Sequence, residues 1–314
     1  MANYLIAVDG GGTKTQIICA TNQGIVIKSA LVGPIGLTST SLGAAVFNLK
    51  EGIRQVTENL TAEDKIVHLT MGLAGMDTPK EIKEVKQVFS NVFDDLKIET
   101  YLITNDAIIA LENGTQKDDA LILISGTGSN CLGRNSSGMM AKAGGLDYLL
   151  TDEGSGFAIG LETLKIAVKS ADGRIAKSIL EKLVKKHFNV EDILDLKSLV
   201  YNPNLTKMEV ASLAQLCFIA LRSNDFEAKK ILNQAIEELF LLALVILKKL
   251  QLVDKPVDCV LAGRINHDQY IYQNLANKLQ AINSQINIII PQTDSVYGAL
   301  KIALKQLYGP NPIS

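Results

Sequence analysis

The residues from Tyr4 to Val8 are apolar without a break, as in a strand buried on both faces, and Asp9 to Thr15 interrupts them as a glycine-rich turn. Gln16 to Thr21 predicts a second strand, Asn22-Gln23-Gly24 a hairpin turn and Ile25 to Leu31 a third strand, so the chain opens as an antiparallel meander. Helical spacing runs from Ser41 to Leu60 and from Pro79 to Phe93, while Ile66 to Met71 and Glu99 to Thr104 read as strands. From Ala120 the opening repeats: an apolar strand to Ile124 enters Ser125-Gly126-Thr127-Gly128-Ser129, returns as Asn130 to Gly133 and turns at Asn135-Ser136-Ser137-Gly138. A period of roughly 110 residues is too long for a solenoid and fits two similar domains.

Ile159 to Leu250 is almost entirely helical in pattern, with a wide apolar stripe that includes Ile231, Ala235, Leu239, Ala243, Ile246 and Leu250. It reads as a helical insertion, about residues 160–250, in the second domain. Val257 to Leu261 and Ile286 to Ile290 predict further strands, and Ser295 to Tyr308 an amphipathic terminal helix that Asp294 can cap.

Length and charge narrow the classes of function. At 314 residues the chain exceeds the size at which one core stops growing, so two domains with a cleft are expected. Lys plus Arg (31) nearly balance Asp plus Glu (33), which argues against a nucleic-acid partner and against attraction to anionic membranes. Cys19, Cys131, Cys217 and Cys259 are scattered, without metal-ligand spacing, and predict reduced core thiols. The N-terminus lacks the pattern of a secretory signal and the longest apolar run, Leu239 to Leu247, is too short for a membrane span, so a cytoplasmic protein is expected.

Candidate chemistry concentrates in Asp9-Gly10-Gly11-Gly12-Thr13-Lys14-Thr15. Glycines let a backbone approach an anion and present successive N–H groups to it, and Thr13 and Thr15 add hydroxyls. An Asp ahead of them would repel phosphate unless a divalent cation lay between, which implies Mg²⁺ held by Asp9 largely through water. A P-loop needs Gly before its Lys, where Thr13 stands; a dinucleotide fingerprint needs Gly where Thr15 stands and a helix after it. The plainer alternative is a merely flexible hairpin, but short hairpins rarely need three glycines and two threonines.

Ser125 to Asn130 has the look of a second phosphate loop without the acid, or of an ordinary hairpin. Thr104-Asn105-Asp106-Ala107 follows a strand and puts Asp106 where a general base could meet a hydroxyl, although Asp and Asn also serve as helix N-caps. Ala143-Gly144-Gly145 and Thr151-Asp152-Glu153-Gly154-Ser155-Gly156 suit hydrogen bonding to a polyhydroxylated ligand, or again helix capping. His68, His187 and His267 stand alone and read as structural or exposed.

Taken in order over nearly the whole chain, these segments resemble the N-acetylglucosamine kinase family and its relatives, the ATPase-type activators of benzoyl-CoA reductases, within the actin, Hsp70 and hexokinase superfamily. Asp9 to Thr15 resembles the first phosphate motif, Gly72-Leu73-Ala74-Gly75 a Gly-Leu-Ser/Ala-Gly segment, Thr104 to Ala107 the catalytic-Asp motif and Ser125 to Asn130 the second phosphate motif. Ala143 to Gly145 and Asp152 to Gly156 resemble sugar-side segments, and Val260-Leu261-Ala262-Gly263 the adenosine motif. One departure stands out: the family usually carries a sugar-contacting Asn after the third strand, where Gly33-Pro34-Ile35-Gly36-Leu37-Thr38 offers Gly36.

The resemblance implies an α/β protein of two ribonuclease-H-like (actin-like ATPase) domains, residues 1–117 with the terminal helix 294–314 packing back on them, and residues 118–293. It implies ATP and Mg²⁺ as cofactors and phosphorylation of a sugar hydroxyl, the 6-hydroxyl of N-acetylglucosamine or a related sugar. Asp106 would be the general base and Asp9 the acid facing Mg²⁺. Gly11, Gly12, Thr13, Lys14, Thr15, Gly126, Thr127, Gly128 and Ser129 would hold phosphate, and Ala262, Gly263 and Arg264 adenosine. Gly75, Asn105, Asp106, Thr127, Gly144, Gly145 and Asp152 would surround the sugar. A homodimer through the second domain is also implied. Two rival readings are an ATPase activator that bridges an iron-sulfur cluster, which scattered cysteines disfavour, and a non-catalytic sugar sensor.

Overall fold

A computed structural model describes residues 2–37, 39–201 and 205–309. The chain divides into two compact units, one formed by the residues up to Lys117 together with those from Pro291 on, the other by Asp118–Ile290.

In the first unit, strands β1 (Asn3–Gly10), β2 (Thr15–Thr21), β3 (Val26–Val32), β4 (Lys65–Leu73) and β5 (Tyr101–Asn105) form one sheet in the order β3-β2-β1-β4-β5. β2 runs antiparallel to β1 and β3, whereas β4 and β5 run parallel to β1. Helices α1 (Leu42–Thr57), α2 (Pro79–Asp95) and α3 (Asp106–Gly114) follow their strands, and the terminal helix, α11 (Val296–Tyr308), belongs to this unit. The unbroken apolar run of β1 is explained by helices on both faces. Ile6 and Val8 pack with Leu49 and Ile53 of α1 and Phe89 and Phe93 of α2; Leu5 and Ala7 pack with Ile109 of α3 and with Val296, Ala299 and Leu300 of α11. Local signals start the helices: the Ser41 hydroxyl accepts from the Ala44 N–H, and Thr78 and Glu81 form a reciprocal capping box with Pro79 at the first turn.

The second unit repeats the design. β6 (Ala120–Ser125), β7 (Ser129–Arg134), β8 (Met140–Gly144), β9 (Val257–Ala262) and β10 (Ile286–Ile289) are arranged β8-β7-β6-β9-β10, with the same two antiparallel and two parallel pairings. Between β8 and β9 lie α4 (Gly156–Ala171), α5 (Ile179–Phe188), α6 (Leu196–Tyr201), α7 (Lys207–Ser212), α8 (Ala214–Arg222) and α9 (Phe226–Lys249); α10 (Gln269–Ile282) joins β9 to β10. Asp225 caps α9, and the buried face of α9 includes Ile231, Ala235, Leu239, Ala243 and Ile246.

Three expectations need adjustment. The apolar pattern leaves β8, α3 and α10 unassigned; β8 is short and carries Lys142, and α3 begins at the residue immediately after β5. Asp294 does not cap the terminal helix: Ser295 occupies the N-cap position, in helical backbone geometry, and no side chain caps it. Residues 291–293 group with the first unit, because the Asn113 amide donates to the Thr293 carbonyl (2.7 Å) and the Thr293 hydroxyl donates to Asn113 (3.0 Å).

Candidate active site

In the first unit the candidate residues meet at the carboxyl ends of three parallel strands. Register sets Asp9 opposite Gly72 and Gly72 opposite Thr104, so the β1–β2 hairpin, the Ala74-Gly75 turn and the start of α3 emerge side by side. Backbone bonds tie the turns together: Gly11 N–H donates to Lys14 (3.1 Å), Ala74 N–H to Gly10 (2.9 Å) and Gly36 N–H to Gly11 (3.4 Å). Gly36 therefore lies beside the hairpin, with Asn48 of α1 holding the Pro34 carbonyl at 2.9 Å; Thr38 lies outside the described residues. Gly12, Thr13 and Lys14 are exposed at the hairpin tip, whereas Thr15 is fully buried and its hydroxyl has no hydrogen-bond partner. Gly75 sits in the left-handed region (φ 77) that favours glycine.

Asp106 is the first residue of α3 and Asn105 is its cap, the Asn105 side-chain Oδ1 accepting the Ala107 N–H at 2.9 Å. The plainer reading of this motif thus holds for Asn105, whose amide also donates to the Met76 carbonyl at 3.2 Å. Asp106 is partly exposed and faces Asp9 electrostatically. Burial, then the charges of Asp106 and Asp294, lift the Asp9 carboxyl from 3.8 to about 6, against a smaller pull from Lys14. Asp294 was legible in the sequence only as a possible cap; its part in this acidic group comes from the chain returning to the first unit. A carboxylate whose proton affinity is raised by burial and by two neighbouring carboxylates suits a divalent cation. Among the described residues no group of three or more His, Cys, Asp or Glu could hold a metal ion.

In the second unit the β6–β7 hairpin is held from below by the segment that precedes α4. Gly126 N–H donates to Gly128 (2.9 Å), while Gly156 and Phe157 N–H donate to the Gly126 and Thr127 carbonyls (2.8 and 3.2 Å). Ser125 Oγ donates to Gly154 at 2.8 Å and Ser129 Oγ to Glu153 at 2.6 Å. Asp152, only 3% exposed, accepts the Ser129 N–H on Oδ1 at 2.9 Å. A Cβ on Gly128 would come within 2.8 Å of both Asp152 oxygens, so glycine is what lets that carboxylate tuck under the hairpin. Ser155 caps α4, its hydroxyl accepting the Ala158 N–H at 3.2 Å, so capping and hairpin support coexist in this motif. Gly144 and Gly145 both have φ 72, and Gly144 pairs with Asn130.

A cavity of about 660 Å³ opens beside this hairpin, lined by Gly126 and Thr127 together with Met208 and Ser212 of α7, Gln215 and Phe218 of α8, and Arg264. Ala262 and Gly263 are not among its lining residues. Gly263, with φ 86, instead allows the β9 end to approach Ser125, whose carbonyl a Cβ would meet at 2.3 Å. The lining residues of α7 and α8 escaped sequence reading because their positions were indistinguishable from ordinary helix packing. A lining that mixes Gln215, Arg264 and Ser212 with Met208 and Phe218 suits a molecule with both polar and apolar parts.

All four cysteines are buried and free. Burial pushes Cys19, Cys217 and Cys259 up to about 12 and Cys131 well above its ordinary value. Such thiols are poor ligands for a cluster shared between subunits, which needs accessible thiolates.

A sheet order repeated in both units, each with a glycine-rich hairpin between its first two strands, defines a protein of the actin-like ATPase fold. Comparison with known proteins agrees: residues 6–303 match the BadF/BadG/BcrA/BcrD ATPase family, and the chain belongs to it. It is 33% identical over 310 residues to the N-acetylmuramic acid/N-acetylglucosamine kinase of Clostridium acetobutylicum, covering 96% of this chain and 98% of that protein. It is 30% identical to the N-acetyl-D-glucosamine kinase of Dictyostelium discoideum, covering 95% and 97%. Among solved structures, a candidate N-acetylglucosamine kinase of Chromobacterium violaceum shares the fold with a TM-score of 0.74 at 24% identity, over 96% of this chain and 98% of that one. No helix among the described residues is long and apolar enough to cross a membrane.

Proposed function

We propose that this protein is an ATP-dependent sugar kinase that transfers the γ-phosphoryl group of ATP to a hydroxyl of an amino sugar, the 6-hydroxyl of N-acetylglucosamine or a close relative. The observation that carries the reading is the acidic group at the carboxyl ends of β1 and β5, where Asp106 opens α3 and faces a half-buried Asp9. The family and the two curated kinases similar over nearly the full chain support it.

In this reading Asp106 orients the attacking sugar hydroxyl and takes its proton as the new P–O bond forms and the bond to the leaving ADP breaks. Backbone N–H groups and hydroxyls of Gly11 to Thr15 and of Gly126 to Ser129 stabilise charge on the phosphoryl oxygens. Arg264 joins the cavity residues around the nucleoside, and Ala262 and Gly263 act by shaping the turn behind it. Gly75, Asn105, Thr127, Gly144, Gly145 and Asp152 surround the sugar, with Asn105 and Asp152 acting largely through the backbone they hold. Mg²⁺, drawn by Asp9, would neutralise the triphosphate and polarise the bond that breaks. The same reading takes in a cytoplasmic site of action, where ATP and sugar meet, and a homodimer through the second unit, which sedimentation at micromolar concentration tests.

Asp106→Ala is the direct experiment. Removing a general base costs on the order of 10² to 10⁴ in kcat, so ADP release with N-acetylglucosamine should fall by that much while ATP affinity by calorimetry stays near wild type. Undiminished turnover would remove Asp106 from its role; no sugar-dependent ADP release from the wild-type protein would remove the kinase reading. An activator ATPase would hydrolyse ATP without responding to any sugar, and the buried cysteines already count against that alternative.

A further inference from the structure

Lys207 opens α7, where a capping box holds the backbone: the Thr206 hydroxyl accepts from the Glu209 N–H and the Glu209 carboxylate accepts from the Thr206 N–H. Its ammonium group forms ion pairs with Asp147 and, at 2.7 Å, with Oδ2 of Asp152. The same ammonium lies 5.8 Å from the centre of the Tyr148 ring, and that ring packs against Phe157 at the start of α4. Burial opposes the charge, but the two carboxylates outweigh it, so Lys207 holds its proton more tightly than an ordinary lysine.

What the lysine holds is unusual backbone. Asp147 and Asp152 both sit in the left-handed region, with φ 69 and 77, a conformation costly for a residue with a side chain and kept only where its surroundings enforce it. Asp152 in turn carries the hairpin through the Ser129 N–H. On the other side of Lys207, Met208, Ala211 and Ser212 of the same short helix line the 660 Å³ cavity, as do Gly126 and Thr127. Lys207 therefore ties a helix that lines the cavity to the carboxylate that holds the hairpin.

We propose that Lys207 is a positioning residue for phosphoryl transfer: it locks Asp147 and Asp152 in their left-handed turns, makes one body of the hairpin Gly126–Ser129 and the segment Gly145–Asp152, and so couples nucleotide binding in the cavity to sugar binding along that segment. The proposal rests on the kinase reading. Without Lys207 the buried carboxylate of Asp152 has no counter-charge. It then turns toward water and releases the Ser129 N–H that shapes the hairpin.

The test compares Lys207→Met, Lys207→Arg and the double variant Lys207→Met/Asp152→Asn with wild type, using ATP and N-acetylglucosamine, with Asp106→Ala as a control. Lys207→Met should lower kcat roughly tenfold or more and abolish the dependence of the sugar KM on ATP concentration, while Lys207→Arg restores most of both. The double variant, which carries no unpaired buried charge and so remains foldable if Lys207→Met does not, should recover thermal stability without recovering kcat. Wild-type values of kcat and both KM in Lys207→Met, beside an inactive Asp106→Ala, overturn the proposal alone. Recovery of kcat together with stability in the double variant reduces Lys207 to charge compensation and overturns it too. A wild-type protein that releases no ADP in response to the sugar overturns the kinase reading beneath it.

Discussion

At neutral pH the Asp9 carboxylate is charged against the combined effect of burial, Asp106 and Asp294, which move its pKa from 3.8 to about 6. Because the folded value lies above the unfolded one, Asp9 favours folding most below pH 4; the benefit is lost as pH rises through 6, and above that the charged group carries a penalty on the order of 3 kcal/mol. In metal-free buffer, Asp9→Asn should therefore melt higher than wild type at about pH 8, with the difference vanishing toward about pH 4, and should not transfer phosphate. An offset in melting temperature that is the same at every pH would show that the acidic group does not behave as described. Gly128 poses a different residue-scale question. A methyl group there meets both Asp152 oxygens at 2.8 Å, so Gly128→Ala should raise the KM for ATP by about tenfold with little change in far-ultraviolet dichroism; an unaltered KM would count against a nucleotide role for this hairpin.

Among the elements, helix α11 shows how a distant segment completes a unit. It packs against α3 so closely that a Cβ at Gly298 would lie 1.8 Å from the Ile109 carbonyl oxygen, and Lys305 pairs with the nearly buried Glu112 of α3. Gly298→Ala must push the helices apart, and a loss of about 3 kcal/mol in denaturant titrations is expected. Because α3 begins with Asp106, the same substitution should also reduce kcat; stability and activity that both survive would mean the contact gives way easily. The helix starts at Ser41 and Pro79 were among the easiest features to read beforehand, since the residues there are local signals that hold in any fold. β8 and α3 were harder, being short elements whose existence depends on a neighbouring strand or on the turn just before them.

At the scale of the whole molecule, the two units differ in how they are assembled from the chain. Asp118–Ile290 is continuous and has its own core around Leu121, Leu123, Leu232, Leu239, Ile246 and Leu261. Expressed alone, it should unfold in a single cooperative transition. Residues 1–117 without α11 would leave Leu5, Ala7, Ile18 and Ala20 without the helix that covers them, and should aggregate or melt without cooperativity. A well-folded fragment 1–117 would contradict the packing described for α11.

The sequence alone determined the repeated strand–hairpin–strand design, the two glycine-and-threonine loops and the carboxylate after β5, because each is written in neighbouring residues: apolar period, turn chemistry and the spacing of an acid from a strand end. Only the tertiary structure decided that Asp294 joins the field around Asp9 instead of capping its helix, that α7 and α8 line a cavity, and that Lys207 holds Asp147 and Asp152. Burial and electrostatic fields depend on which residues far apart along the chain are brought together, and no local pattern encodes that.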